Sequence, residues 1–562
     1  MVEILGRACD PKFWTDEVRV KPLYERYREQ CLNYWEREDL ENKVFPALRY
    51  SDYKLFWTTG DRGIFERSYF SRRYALEYTL PLALMYPEEE KYLKAIMDWV
   101  YMICDEYSWC LPAHQGPIEP NNNSRIDLFA SECGFWLALV YHLLGDRIDP
   151  LIKNRIAYEI NRRIIDPFLA VENYGWWEVG HSNWTAVCVC GVAASFMLMR
   201  PELMDDALIA RFDKAMNGFV DGFKDDGICL EGCGYWAYGV GFFVMYADML
   251  RTFTGGRVNW FSHPRMKAIA TFPQRMFLSG NAAVSFADGG RVIEYPVGVL
   301  HRLKDEFPED VLIYSPDYGC YGIGCGRVGY RIFAAVWMRE EYYFDPADST
   351  TAFESYAADS QWLMKRTAAY GFAAKAGHNS ELHNHNDVGS FIFAKNGKQQ
   401  LVDIGAGKYT RQYFSSERYT ILECAGFGHS LPLFDGATQK TGSEYAATDV
   451  HYESGCFTMD IAGAYALENV RSARRSFVME DDRVVLTDEF DCDAQVIDRV
   501  IALSEPKSIA PGKLAVGDAT VEYDATLADL RIGVDNSNEK RPVYLIDFIL
   551  KDGVRTFKAT MR

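Results

Sequence analysis

The amino-acid sequence predicts a multidomain α + β protein: an N-terminal (α/α) toroid or solenoid followed by a C-terminal antiparallel β-sandwich. Three observations carry this prediction. Segments with apolar residues at helical spacing recur through roughly the first 300 residues, with no strand-like runs between them. Alternating and β-branched runs replace them after about residue 325. The chain of 562 residues also exceeds one ordinary core, since domains usually hold about 100–200 residues.

In chain order, the helical segments fall near 21–39, 71–86, 91–107, 127–144, 151–170, 183–199, 203–223, 235–254 and 263–278. Leu128, Phe129, Cys133, Trp136, Leu137 and Val140 show the spacing of a buried helical face. Turn formers such as Gly145-Asp146 and Thr254-Gly255-Gly256 separate the segments. Paired helices of this kind suit a toroid or solenoid. No tight internal repeat is present, so an array of the tetratricopeptide type is not expected. Strands are expected at Tyr330–Trp337, Ser390–Ala394, Arg475–Met479, Arg483–Thr487, Val496–Leu503 and Val543–Leu550. Asn396-Gly397 between two such runs signals a hairpin. The domains are read as 1–330 and 331–562, with the Asp-, Ser-, Thr- and Ala-rich stretch near 340–360 crossing between them.

Apolar residues are 48% and charged residues 25% of the chain, ordinary globular usage that excludes global disorder. A net charge of −19 argues against a nucleic-acid backbone as the main partner. It leaves room for an anionic substrate, because a local basic pocket overrides net charge. Aromatics at 15% suit stacking on sugars, although large cores use them too. None of the 14 Cys forms a C-x-x-C pair, and several lie in apolar runs such as Val187-Cys188-Val189-Cys190. Buried free thiols in a reducing compartment explain that usage. The N-terminal residues do not build a secretory signal, and no apolar run is read as spanning a bilayer. The expected setting is the cytoplasm, or the periplasm or exterior if a leader was removed; no membrane partner is expected, and a homo-oligomer is left open.

Three clusters carry chemistry. His383-Asn384-His385-Asn386-Asp387 holds two of the 10 His one residue apart. In an extended strand both imidazoles would face one side, as metal ligands or proton-transfer groups; a polar loop with turn-capping His is the plain alternative. Asp403, beside Gly405 and Gly407, and His429 complete a His, Asp, His set of the zinc type with His385. The second cluster, Trp176 to Trp184, opens an apolar helix. Ser182 or Asn183 serves there as an N-cap or as part of a carboxylate site at a helix N-terminus. The third runs from Glu231 through Tyr235, Trp236 and Tyr238 to Gly239, and places two Tyr on one helical face. Upstream, Arg72-Arg73-Tyr74 and Asn121-Asn122-Asn123-Ser124-Arg125 offer cations and amides for an acidic sugar, notably Arg73, Asn122 and Arg125.

Together these residues resemble the heparinase II/III-like polysaccharide lyases, from about residue 70 to about residue 440. The likeness is sharpest at His383–Asp387 with Gly389-Ser390-Phe391, and at Leu401–Tyr409. Ser182–Val187 and Glu231–Gly239 look like the two helical signatures, and the order and spacing of all four match. The resemblance implies a toroid and a sandwich with the site in the cleft between them, and β-elimination on uronic-acid glycans. It implies that Asn183 neutralises the uronate carboxylate, with His181 as a candidate helper, and that His383 and Tyr235 or Tyr238 move protons, Tyr235 being favoured. Where some relatives place His directly after that Asn, this chain has Trp184, and His181 is the candidate in its stead. Trp184, Glu231 and Trp236 complete the expected substrate contacts. A structural zinc on His385, Asp403 and His429, and no organic cofactor, are implied as well. Glycosaminoglycans are the expected substrates, alginate or another polyuronate the alternative. A glycoside hydrolase would need paired carboxylates such as Glu178, Asp226 and Glu231, and a non-catalytic glycan binder would have lost His383 or the Tyr.

Overall fold

The computed structural model describes residues 3–115, 124–314, 319–343, 346–347, 351–538 and 541–562. The chain divides into two compact units. The first comprises Met1–Gly222, Trp236–Ala270 and Tyr295–Pro346; the second comprises Phe223–Tyr235, Thr271–Glu294 and Ala347–Arg562. The division is therefore not a single cut at 330: two excursions from the helical part of the sequence belong to the second unit.

The first unit is built from helices, including Glu25–Arg37, Gly63–Met85, Glu90–Cys104, Leu128–Leu144, Asn183–Met199 and Asp206–Asp221. Their burial separates two classes. Glu90–Cys104 buries Tyr92, Ile96, Trp99, Val100 and Ile103, one stripe of an amphipathic helix. Leu128–Leu144 and Asn183–Met199 are buried on nearly all sides, as inner helices are. Two of these helix starts carry side-chain caps: the Asp127 side chain accepts from the Ala130 amide, and that of Asp205 from Leu208. Leu128–Arg147 is long and apolar enough to cross a membrane, contrary to the sequence expectation, but 78% of that window is buried inside the protein. Burial of that extent marks it as a core helix.

One expected strand is overturned. Val328–Trp337 is a helix with every residue buried. A run without a solvent face has no exposed positions to mark a period, and its one charged residue, Arg331, is itself buried against Glu77, so the pattern cannot separate strand from helix.

The second unit holds the expected sandwich. A nine-stranded sheet runs in the order Ala528–Asp535, Val543–Leu550, Val496–Ala502, Lys398–Leu401, Phe391–Lys395, Gly371–Lys375, Trp362–Arg366 and Phe353–Ala357, with Pro432–Phe434 pairing Val496–Ala502. An eight-stranded sheet runs Thr448–Glu453, Cys456–Asp460, Val470–Met479, Val484–Cys492, Thr556–Met561, Ala519–Tyr523, Lys513–Val516 and Lys507–Ala510. Neighbouring strands in both are antiparallel. Along Val470–Met479, Ala473, Arg475, Phe477 and Met479 point inward while Arg474 and Val478 are exposed, the alternation of a half-buried sheet. Phe372 and Phe391 of one sheet meet Phe477 of the other, with ring centroids 5.2 and 5.3 Å apart. The hairpin at Asn396-Gly397 is present, both residues at positive φ.

Candidate active site

Three loops of the second unit converge because glycines let their backbones touch. Gly232 has φ +98°, and a Cβ there would lie 2.9 Å from the Gly289 nitrogen. Gly405 has φ +74°, and a Cβ there would collide with the Gly289 carbonyl oxygen. Only glycine meets both demands. The loop carrying Asp288 is thereby wedged between the segment that leads to Tyr235 and the one that runs from Asp403 to Tyr409.

Asp288 is the centre of the resulting cluster, its side chain fully shielded from solvent. His383 Nδ1 lies 2.5 Å from Oδ2, and Tyr409 donates to the same oxygen at 2.8 Å. Tyr413 donates to Oδ1 at 2.5 Å and Arg418 at 3.0 Å, and His385 Nε2 lies 3.1 Å from it. Burial opposes ionisation of this carboxyl, yet the hydrogen bonds and charges of His383 and His385 hold it well below its ordinary range.

The Tyr235 ring stacks on His383 with centroids 4.2 Å apart, and its hydroxyl is 2.7 Å from that of Tyr409. With the Tyr409 proton directed at Asp288, Tyr235 donates to the Tyr409 oxygen. Burial pushes the Tyr235 phenol above its ordinary value, so it keeps its proton at neutral pH. His383 Nε2 lies 3.4 Å from Glu231, and the His383 side chain is 20% exposed. His383 itself sits at φ +54°, a conformation that side chains with a Cβ adopt at a cost and that concentrates at functional sites. The segment is a turn and not the extended strand expected; the two imidazoles meet because both reach one carboxylate. The cluster thus offers a protonated phenol and an oriented imidazole side by side.

His385, Asp403 and His429 are buried, with one ligand atom of each within 4.8 Å of the others. His429 Nδ1 is 3.1 Å from Asp403, while His385 Nδ1 and His429 Nε2 have no hydrogen-bond partner. Two orphaned imidazole nitrogens beside a buried carboxylate are costly without a ligand, so the donor set fits a divalent metal ion.

In the first unit, Asn183 begins the helix Asn183–Met199 behind Ser182 and is 3% exposed. Ser182 occupies the N-cap position without a side-chain capping bond. His181 is exposed, with Nδ1 2.8 Å from the Gly218 carbonyl oxygen. Trp184 packs against His114 and Trp176 at 4.7 and 4.8 Å between centroids. These rings, with Arg125, Tyr174 and Trp177, line an open cavity of about 540 Å³. Asn122 lies outside the described residues.

Three expected site residues are instead structural. Arg73 is completely buried, paired with Glu106 at 2.6 Å and set over the Tyr69 ring. Trp236 is completely buried, its indole N–H donating to the Ile269 carbonyl at 2.9 Å. Tyr238 donates to Glu132 at 2.5 Å beneath the Arg327 guanidinium, inside the helical core. Helical spacing put Tyr235 and Tyr238 on a common face but did not give them common surroundings. The hydrolase alternative also loses carboxylates: Glu178 is clamped by Arg211 at 2.5 and 2.9 Å, and Asp226 accepts from the Ser360 amide and hydroxyl.

Glu132 makes one prediction. Burial pushes its carboxyl up to about 7 against the nearby Arg327 charge. A carboxyl whose pKa is raised on folding contributes stability that is fully present below its unfolded pKa and is lost as pH rises through the folded one. The wild-type thermal midpoint is therefore expected to fall between about pH 4.5 and about pH 7 relative to a Glu132→Gln variant. Parallel pH curves for the two proteins would contradict this.

Sequence reasoning missed Asp288, Tyr413 and Arg418 and gave Tyr409 no role. The only local sign was the Ala287-Asp288-Gly289-Gly290 turn within a stretch bordering the helical part.

No family model and no curated protein matches the chain. Solved structures do. A heparinase III structure is 14% identical with TM-score 0.57, covering 98% of this chain and 93% of that one. The heparan sulfate lyase HepC from Pedobacter heparinus is 13% identical with TM-score 0.56, covering 99% and 86%. A Streptomyces coelicolor A3 chondroitin AC lyase, solved with chondroitin sulphate, is 11% identical with TM-score 0.56, covering 99% and 82%. This chain has the fold of those lyases, an (α/α) toroid followed by an antiparallel β-sandwich.

Proposed function

We propose that this protein is a polysaccharide lyase that cleaves uronic-acid glycans, glycosaminoglycans foremost, by β-elimination. The observation that carries the reading is the Tyr235 phenol stacked on the His383 imidazole, His383 held directly by Asp288 and Tyr235 linked to it through Tyr409. Solved proteins of the same fold are named as lyases of heparan sulfate and of chondroitin.

The reaction removes the proton on carbon 5, forms a double bond between carbons 4 and 5, and expels the glycosidic oxygen on carbon 4. That proton is weakly acidic while the adjacent carboxylate is charged, so a neutralising donor is required, the role that the sequence resemblance gives Asn183. His383 accepts the carbon-5 proton, the electron pair enters the new double bond, and Tyr235 protonates the leaving oxygen. The two rings stack 4.2 Å apart and reach the sugar from one side, so this division suits a uronate whose carbon-5 proton and leaving oxygen lie on the same face. Zinc is the metal assigned to His385, Asp403 and His429, two imidazoles and a carboxylate; bound there it supplies local rigidity to the turn carrying His383. The Trp176 and Trp184 rings are assigned to stacking on a sugar, with Arg125 for its carboxylate.

The test is ultraviolet absorbance of the conjugated double bond while the protein meets heparan sulfate, chondroitin sulfate, hyaluronan and alginate oligosaccharides. A rise with a glycosaminoglycan is expected. A rise with alginate alone would move the substrate class to polyuronates. New reducing ends without absorbance would mean hydrolysis and would overturn the reading.

A further inference from the structure

We propose that Asp288 is the positioning residue of this site: one carboxylate that sets the proton-accepting nitrogen of His383 and, at the same time, the metal-binding nitrogen of His385. The proposal rests on the lyase reading for the role of His383, and on the donor set alone for that of His385.

An ionised carboxylate can only accept hydrogen bonds. Each imidazole that faces Asp288 must therefore present an N–H to it. His383 faces it with Nδ1 at 2.5 Å, so in the neutral ring the lone pair is placed on Nε2. His385 faces it with Nε2 at 3.1 Å, so its lone pair is placed on Nδ1. Those are the two atoms the chemistry requires. Nε2 of His383 lies farther from its nearest carboxylate, 3.4 Å from Glu231 against 2.5 Å from Nδ1 to Asp288, and is left to accept a proton. Nδ1 of His385 is a buried atom without a hydrogen-bond partner, beside Asp403 and His429. Opposite tautomers of two histidines one residue apart are thus imposed by one acceptor.

The acceptor is itself held against rotation. Tyr413 and Arg418 bind Oδ1 and Tyr409 binds Oδ2, so each oxygen has partners from outside the His pair. The loop beneath it is pinned by the close approaches of Gly232 and Gly405 to Gly289. A carboxylate that orients a ligating imidazole is worth roughly 10–100-fold in metal affinity. One that fixes the tautomer of a catalytic imidazole is worth up to about 10⁴-fold in turnover.

The experiment compares full-length wild type with Asp288→Asn, whose amide matches the carboxylate in shape but presents an N–H₂ to one of the imidazoles. Turnover is followed by double-bond absorbance, and zinc affinity by competition with a chromophoric chelator. Expected are a fall in kcat of about 10²–10⁴-fold with KM little changed, and a loss of about 10–100-fold in zinc affinity. Retention of either wild-type kcat or wild-type zinc affinity would overturn the dual role. Should the variant fail to fold, long-range proton–nitrogen spectra of wild type labelled at histidine read the tautomers directly, with assignment by His383→Ala. Expected are Nδ1–H on His383 and Nε2–H on His385, and the reverse assignment at either ring would overturn the proposal. Wild type that is silent toward every uronate would defeat the lyase reading. The zinc and tautomer measurements would still decide whether Asp288 orients His385.

Discussion

Replacement of His383 by Ala is expected to lower kcat by about 10²–10⁴-fold on the glycan that wild type cleaves, with the fold intact. The expectation combines position and chemistry. His383 is partly exposed at a turn, so its side chain contributes little to the core. Asp288 keeps Tyr409, Tyr413, Arg418 and His385 as partners when His383 is gone, so no buried carboxylate is stranded. Ala also carries a Cβ and meets the positive φ at a cost comparable to that of His. Circular dichroism and the thermal midpoint should therefore stay near wild type while the absorbance assay falls. Near-normal turnover would remove His383 from the mechanism.

The second large effect is a contrast between two tyrosines three residues apart. Tyr235→Phe keeps the ring on His383 and deletes only the hydroxyl that faces Tyr409. The expected loss is about 10²–10⁴-fold in kcat with little change in stability. Tyr238→Phe deletes a hydroxyl that donates to buried Glu132. Its expected effect is a stability loss of about 1–3 kcal/mol, read from denaturant unfolding, with turnover retained. The opposite pattern, a stable but inactive Tyr238→Phe beside an active Tyr235→Phe, would reverse the assignment.

The close pairing of His383 and His385 was visible in the sequence because it is local, and so was the Asn396-Gly397 hairpin. Strands such as Val470–Met479 were legible because one face meets the core and the other meets water, which writes a period of two into the residues. Val328–Trp337 was misread because burial on every side erases that record. Tyr235 and Tyr238 were indistinguishable in sequence, since helical spacing states which face is shared and not what that face touches.

The sequence by itself determined the order of helical and sheet parts and the two-histidine motif, because each is stated by residue type and short-range pattern; the widely spaced His385, Asp403, His429 set rested on the resemblance. Only the tertiary structure decided that Asp288 organises them. It stands 95 residues from His383 and 130 from Arg418 along the chain. Its carboxylate acquires meaning from partners that folding supplies, and no local period or spacing encodes a contact of that range. The same holds for Arg73 and Trp236, whose polar groups looked available in sequence and are spent inside the helical core. A side chain's chemistry is written in its residue type, but whether it faces substrate or a buried partner is settled by what packs against it.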